Sequence, residues 1–165
     1  MTLPVTGDPL TPARTTAAVT LLLADYCAHL DADRLEAWCD LFADESSYRI
    51  VPRENRVQNL PAAILHLENK RMILDRIAVL RTAAVYNIHV DRHLFSGVRV
   101  LDAAAGSAVF EANFCVYQSD QEGRTKLFCT GLYEGEVSLA PRLLFTRQTA
   151  VVDTFSVPAL LAVPI

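Results

Sequence analysis

Residues 107–119 read SAVFEANFCVYQS. Successive side chains of an extended chain point to opposite faces, so this stretch sorts into two sets. Ala108, Phe110, Ala112, Phe114 and Val116 form one set, and all are apolar. Val109, Glu111, Asn113, Cys115 and Tyr117 form the other, which is mixed. The pattern is that of a strand in a long antiparallel sheet with helices covering one face.

Outward from this strand the same period of two continues. Candidate strands lie at 92–101, 124–138 and 142–153, divided by the turn-like stretches DAAAG, SDQEG and SLAP. Upstream of Tyr86 the period is mostly helical. Residues 62–84 are predicted as helix with a break near Glu68, and Ile73, Ile77 and Leu80 make its apolar stripe. PRENRVQNLP, residues 52–61, is predicted as a polar loop, and Ser47 to Val51 as a short strand.

Asp33-x-x-Glu36 resembles a capping box opening a helix striped by Leu35, Trp38, Cys39 and Phe42. Thr11 caps a first helix with Pro12 in its first turn; Val19, Leu22, Leu23, Tyr26 and Leu30 line its inner side. Residues 1–12, with three prolines, are expected to form an extended arm, and 13–165 a single domain. Helices first and a meander after them give an α+β fold with segregated layers.

The chain has 165 residues, 52% apolar and 21% charged, with a net charge of −4. One domain of this size buries enough surface to need no staple, and the absence of basic excess argues against nucleic acid. Arg outnumbers Lys 13 to 2, which favours fixed bidentate ion pairs. No apolar run reaches the length of a membrane span, and no secretory signal is evident, so a cytoplasmic location is expected. Cys27, Cys39, Cys115 and Cys129 contain no CxxC pair and read as small buried hydrophobes.

Sites with chemistry are few. Cys27-x-His29 is half of a Rieske ligand signature, in mid-helix and without its second half. His89 and His93, near Asp91 and Asp102, could supply a non-haem iron site, but four residues along a strand place side chains about 13 Å apart. No metal site is therefore expected in this chain. Nucleophile motifs and phosphate loops are also missing. Asp25, Tyr26, Asp40, Tyr48, His89, His93 and Glu111 could converge under a curved sheet as an acid–base set, which would suit a free-standing dehydratase or isomerase.

The stretch from Asp75 to His93 concentrates charge: Asp75, Arg76, Arg81, His89, Arg92 and His93. It reads either as a solvated helix face or as a network fixing helix to sheet, or subunit to subunit. NKRMILDRIAVLRTAAVYNIHVDRHLFSGVRV (69–100), preceded by DADRLEAWCDLFADESSYRI and PRENRVQNLP and followed by VVDTFSVPALLAVPI, resembles the small, or beta, subunits of aromatic-ring-hydroxylating dioxygenases.

That resemblance covers roughly residues 15–165. It implies a cone-shaped fold of the nuclear transport factor 2 (SnoaL-like) kind, with helices packed on a curved, mostly antiparallel sheet. It further implies a non-catalytic subunit without a cofactor of its own, trimeric within an α3β3 assembly. The Rieske [2Fe–2S] cluster and mononuclear iron would belong to the large alpha subunit. Arg53, Asn55, Asp75, Arg76, Arg81, His89, Arg92 and His93 are then expected to form the polar network at or near subunit contacts. Asp91 departs from the resemblance, since many relatives have Tyr there, and Ile73 stands where Leu is commoner.

Overall fold

A computed structural model describes residues 11–83, 88–104, 106–153, 161 and 163–165. Helix α1 spans Pro12–Asp31, capped by the Thr11 side chain, which accepts from the Arg14 N–H. The arm at 1–12 thus falls outside the described residues except for Thr11 and Pro12. Val19, Leu22, Leu23, Tyr26, Cys27 and Leu30 are buried, the three-and-four spacing of one helix face.

The second helix, α2, is only Leu35–Cys39. Its cap position is Arg34, with no side-chain cap bond, so the predicted capping box does not form. Asp33 instead takes a positive φ of 52°, and both Asp33 and Glu36 turn toward Arg81. Phe42, expected on that helix, begins strand β1 (Phe42–Pro52) and is buried there. The predicted strand at 47–51 was too short because Asp44 and Glu45 masked its start; Ser46, Tyr48 and Ile50 carry the buried side.

The loop after β1 contains a one-turn helix, α3 (Arg53–Val57). The helix expected over 62–84 is shorter. Leu65–Leu67 forms β2, pairing antiparallel with β1, and α4 runs Lys70–Thr82 from the Asn69 cap. The capping signal of Asn69, which accepts from the Met72 N–H at 3.0 Å, overrides the apolar run before it. Ile73, Ile77 and Leu80 are the buried stripe, as expected.

Four long strands follow: β3 (His89–Ala104), β4 (Ser107–Asp120), β5 (Thr125–Ser138) and β6 (Leu144–Val152). The sheet order is β2-β1-β6-β5-β4-β3, antiparallel except where β1 runs parallel to β6. Helix α1 packs against β3 and α4 against β1, so one face is covered and the other open. The buried positions of β4 are those of its apolar set, Ala108 through Val116, with Gln118 completing the row.

The core is aromatic. Trp38 lies 4.9 Å from Phe42 and 5.3 Å from Tyr48, ring centre to ring centre, and Phe114 stacks on Tyr133 at 4.2 Å. These are the edge-on and offset arrangements that ring quadrupoles favour. Gly135 makes room for one of the rings: a Cβ there would meet Phe110 Cε1 at 2.5 Å.

Candidate subunit-contact surface and the polar clusters around it

The predicted polar residues do not form one network. The structure distributes them over separate places, most of them organised by a carboxylate or carbonyl from another part of the chain.

At the end of α1, Asp31 gathers three donors. Its Oδ1 accepts from the backbone N–H of His93 at 2.9 Å and lies 2.7 Å from His93 Nδ1, while Oδ2 lies 3.2 Å from Arg92 Nη1. A carboxylate only accepts, so Nδ1 carries the imidazole proton. His93 and Asp31 are almost buried, with side chains 1% and 8% exposed, and His93 Nε2 has no partner among the described residues.

Asp31 is absent from the expected sites, although a signal existed. A negative side chain at the last turn of a helix opposes the helix dipole and calls for cations nearby. The acid–base set expected around Asp25 and Asp40 does not assemble. Asp25 points outward from α1, and Asp40 reaches Lys70 Nζ at 3.4 Å on the surface.

His89 pairs with Asp91 on its own strand, Nε2 to Oδ2 3.5 Å, and Gln118 Nε2 donates to Asp91 Oδ1 at 3.2 Å. The polar Asp91, where relatives were expected to carry Tyr, is thus held by the inward row of β3 and β4. His89 and His93 therefore serve different carboxylates. No group of three or more His, Cys, Asp or Glu side chains able to hold a metal occurs among the described residues. Cys27 is buried in mid-α1, where burial pushes its thiol up to about 12.

Arg81 forms the third cluster. Its guanidinium takes Asp33 Oδ2 at 2.6 Å and both Glu36 oxygens at 3.1 Å, tying α4 to the turn before α2. Arg81 holds the Glu36 carboxyl below its ordinary range, chiefly through these hydrogen bonds. Arg76 does not pair with its neighbour Asp75. It donates to the Leu161 carbonyl at 3.1 Å, whereas Asp75 is exposed with no ion pair among the described residues.

The fourth place is the open face of the sheet. Arg53 meets Asp153 at 3.2 Å, and Asn55 Nδ2 donates to the Ala62 carbonyl at 3.0 Å, bracing the 52–61 loop over the sheet. Registered across β1, β6, β5, β4 and β3 runs the row Arg49, Thr149, Glu134, Glu111, Arg99. Glu134 and Glu111 stand directly opposite each other, an unfavourable like-charge pair. Arg56 takes Glu134 at 2.8 Å and Arg99 takes Glu111, which offsets that repulsion. A groove of about 370 Å³ lies over this row, bordered by Arg49, Asn59, Leu60 and Arg147.

Toward the other end the same face turns apolar. Val90 and Leu94 on β3, Tyr117 on β4 and Leu127 on β5 are all exposed, with Arg92 between the first two at 64% exposure. Tyr117 pairs in register with Arg92 on one side and Leu127 on the other, so these side chains form one stripe. Contiguous exposed apolar side chains with a polar rim mark a surface that meets another protein. No helix among the described residues is long and apolar enough to cross a membrane.

Comparison with known proteins agrees with this geometry. Residues 27–154 match the family described as ring hydroxylating beta subunit. The small subunit of anthranilate 1,2-dioxygenase from Burkholderia cepacia is 36% identical over 148 residues, 89% of this chain and 92% of that one. Subunit beta 1 of the terminal oxygenase component of terephthalate 1,2-dioxygenase from a Comamonas species is 28% identical over 86% of this chain and 93% of its own.

Among solved structures, a beta subunit assigned to an aromatic-ring-hydroxylating dioxygenase of Novosphingobium aromaticivorans superposes with a TM-score of 0.84. It has 32% identity and covers 92% of this chain and 97% of that one. A scytalone dehydratase-like protein from the same organism shares the fold alone, at TM-score 0.67 and 15% identity over 88% of this chain and 90% of that one. The cone architecture expected from the sequence is therefore present, and the chain belongs to the ring-hydroxylating beta subunits, the small subunits of aromatic-ring dioxygenases.

Proposed function

We propose that this chain is the scaffolding subunit of a multicomponent dioxygenase, assembled as a trimer with three large subunits in an α3β3 particle in the cytoplasm. The large subunits carry the Rieske cluster and the mononuclear iron. The small subunits hold them in a ring so that the cluster of one approaches the iron of the next. The substrate is an aromatic compound, and a carboxylated ring is favoured because the anthranilate and terephthalate relatives are named for such compounds.

The observation that supports this reading best is the stripe of Val90, Leu94, Tyr117 and Leu127 on the open sheet face. A scaffold buries such a stripe against its partner, and the charges around it set orientation more than affinity. Arg92 stands inside the stripe. His89 and His93 brace β3, which carries part of it, Arg53 and Asn55 lie toward the other end of the same face, and Asp75, Arg76 and Arg81 belong to α4 on the covered side.

Co-expression with the large subunit followed by light scattering tests the proposal. Leu94→Asp and Arg92→Glu should each yield separated subunits where the unchanged chain yields a hexamer, with circular dichroism the same for all three. Hexamers of full mass from both variants would overturn the assignment of this face.

A further inference from the structure

The groove over the ionic row contains a cation that the row does not use. Arg49 on β1 lines it and reaches the 52–61 loop, where Nη2 donates to the Pro61 carbonyl at 3.4 Å. Arg49 Nε is buried with no partner among the described residues. A guanidinium carries five N–H donors, so one long bond leaves most of them unengaged. The other arginines of the groove differ: Arg56 is held by Glu134 at 2.8 Å and Arg147 by Glu136 at 3.3 Å. In the row, the carboxylate nearest Arg49 is Glu134, one strand beyond Thr149, and Arg56 already takes it.

The three arginines share the groove lining with two acids, Glu111 and Glu134, so positive charge is in excess there although the whole chain carries −4. A partly desolvated cation without a counter-charge is costly, and a carboxylate that accepts from its planar fork offsets that cost. Thr149, the register neighbour of Arg49 on β6, brings a hydroxyl to the same lining. Leu60 precedes the residue whose carbonyl Arg49 meets, and it lines the groove while exposed to solvent. The exposed Leu101 of β3 extends the apolar part of the lining. The volume of about 370 Å³ lies in the range of small-molecule sites and exceeds the ~150 Å³ that accepts benzene.

We infer that this groove binds a small organic carboxylate with an apolar body about the size of one ring. Arg49 takes the carboxylate through its fork, Thr149 donates a further hydrogen bond, and the body lies against Leu60. Arg56 and Arg147 keep their own glutamates, so Arg49 alone among the lining arginines is left to read the ligand's charge. The site does not rest on the scaffold reading, whose stripe lies at the other end of the face, so either can fail without the other.

Isothermal titration calorimetry of the purified full chain at low salt, with benzoate, benzamide and acetate as probes, tests the site. Benzoate should bind saturably. Benzamide keeps the ring and loses the charge; acetate keeps the charge and loses the ring. Each should bind at least about tenfold more weakly than benzoate. Arg49→Gln should weaken benzoate at least about tenfold, and Arg49→Lys, which keeps the charge without the fork, by less. Added salt should weaken benzoate in the unchanged chain.

No saturable binding of benzoate overturns the inference. Equal affinity for acetate does so too, since Arg49 would then receive any carboxylate, a neighbouring subunit's side chain included. Benzamide binding as tightly as benzoate, or an Arg49→Gln chain that binds benzoate unchanged, also overturns it. Should Arg49→Gln not fold, Leu60→Ser on the exposed loop takes its place. That variant must weaken benzoate several-fold, and unchanged affinity likewise overturns the inference.

Discussion

Strand β4 presents both faces of the sheet within fourteen residues. Inward, Phe110 lies 6.0 Å from the ring of Phe145 on β6, and Phe114 stacks on Tyr133 of β5 at 4.2 Å. Outward, Glu111 takes part in an ionic row whose members are one-fifth to two-thirds exposed. The same backbone therefore carries two kinds of interaction. Inside, stability depends on volume and desolvation; outside, it depends on charge pairs that water and salt weaken. The covered face should dominate folding, and the open face should matter chiefly for what it meets.

Alkaline pH should separate the two faces most sharply, because the thiols and phenols that burial shifts lie inside. Burial pushes Cys27 and Cys129 up to about 12 and Cys39 to about 11, and raises the Tyr26, Tyr48 and Tyr133 hydroxyls above their ordinary range. Folded-state values lie above unfolded ones, so the stability they represent is complete below about pH 8.5 and falls as pH rises past the unfolded thiols and then the unfolded phenols. Denaturant midpoints measured from pH 8 to 11 should decline steadily, and more than any substitution below causes. A flat profile would mean that these groups are hydrated.

Trp38→Ala removes the centre of the ring cluster and should cost about 3–5 kcal/mol in chemical denaturation. A loss under 1 kcal/mol would show that the helical layer collapses onto the gap. Asp31→Ala strips the acceptor from Arg92, His93 Nδ1 and the His93 N–H together, and should cost about 3 kcal/mol. Asp31→Asn, which keeps an acceptor, should cost less. Equality of the two would show that charge alone matters there. On the open face, Glu134→Gln should change stability by under about 1 kcal/mol, with a difference that fades at high salt. A larger, salt-insensitive loss would erase the distinction between the faces.

Periodicity alone was enough for most of this architecture. The alternation in 107–119, the turn-like breaks and the stripes of α1 and α4 all rest on local spacing, which a strand or helix imposes residue by residue. Boundaries were less legible where local signals competed. The break near Glu68 falls at the Asn69 cap that starts α4, but the residues before it form β2 and not helix, and Asp33 and Glu36 look like a capping box although both hold Arg81 across 45 or more residues. Residue type and spacing point to most of the polar residues but not to their partners. Asp31, Asp153 and Leu161 lie 62, 100 and 85 positions from His93, Arg53 and Arg76, and no local pattern encodes such distances.

The α+β order, the apolar side of each long element and the resemblance to ring-hydroxylating beta subunits are all written in residue type and spacing along one chain. Tertiary packing alone sets which carboxylate each Arg and His meets, that the sheet keeps a bare stripe beside an ionic row, and that Tyr26 and Tyr48 share the main-chain oxygen of Ile165. Those outcomes depend on how a curved sheet brings distant strands and helix ends together, and a pairing made through space leaves no period in the sequence that could foretell it.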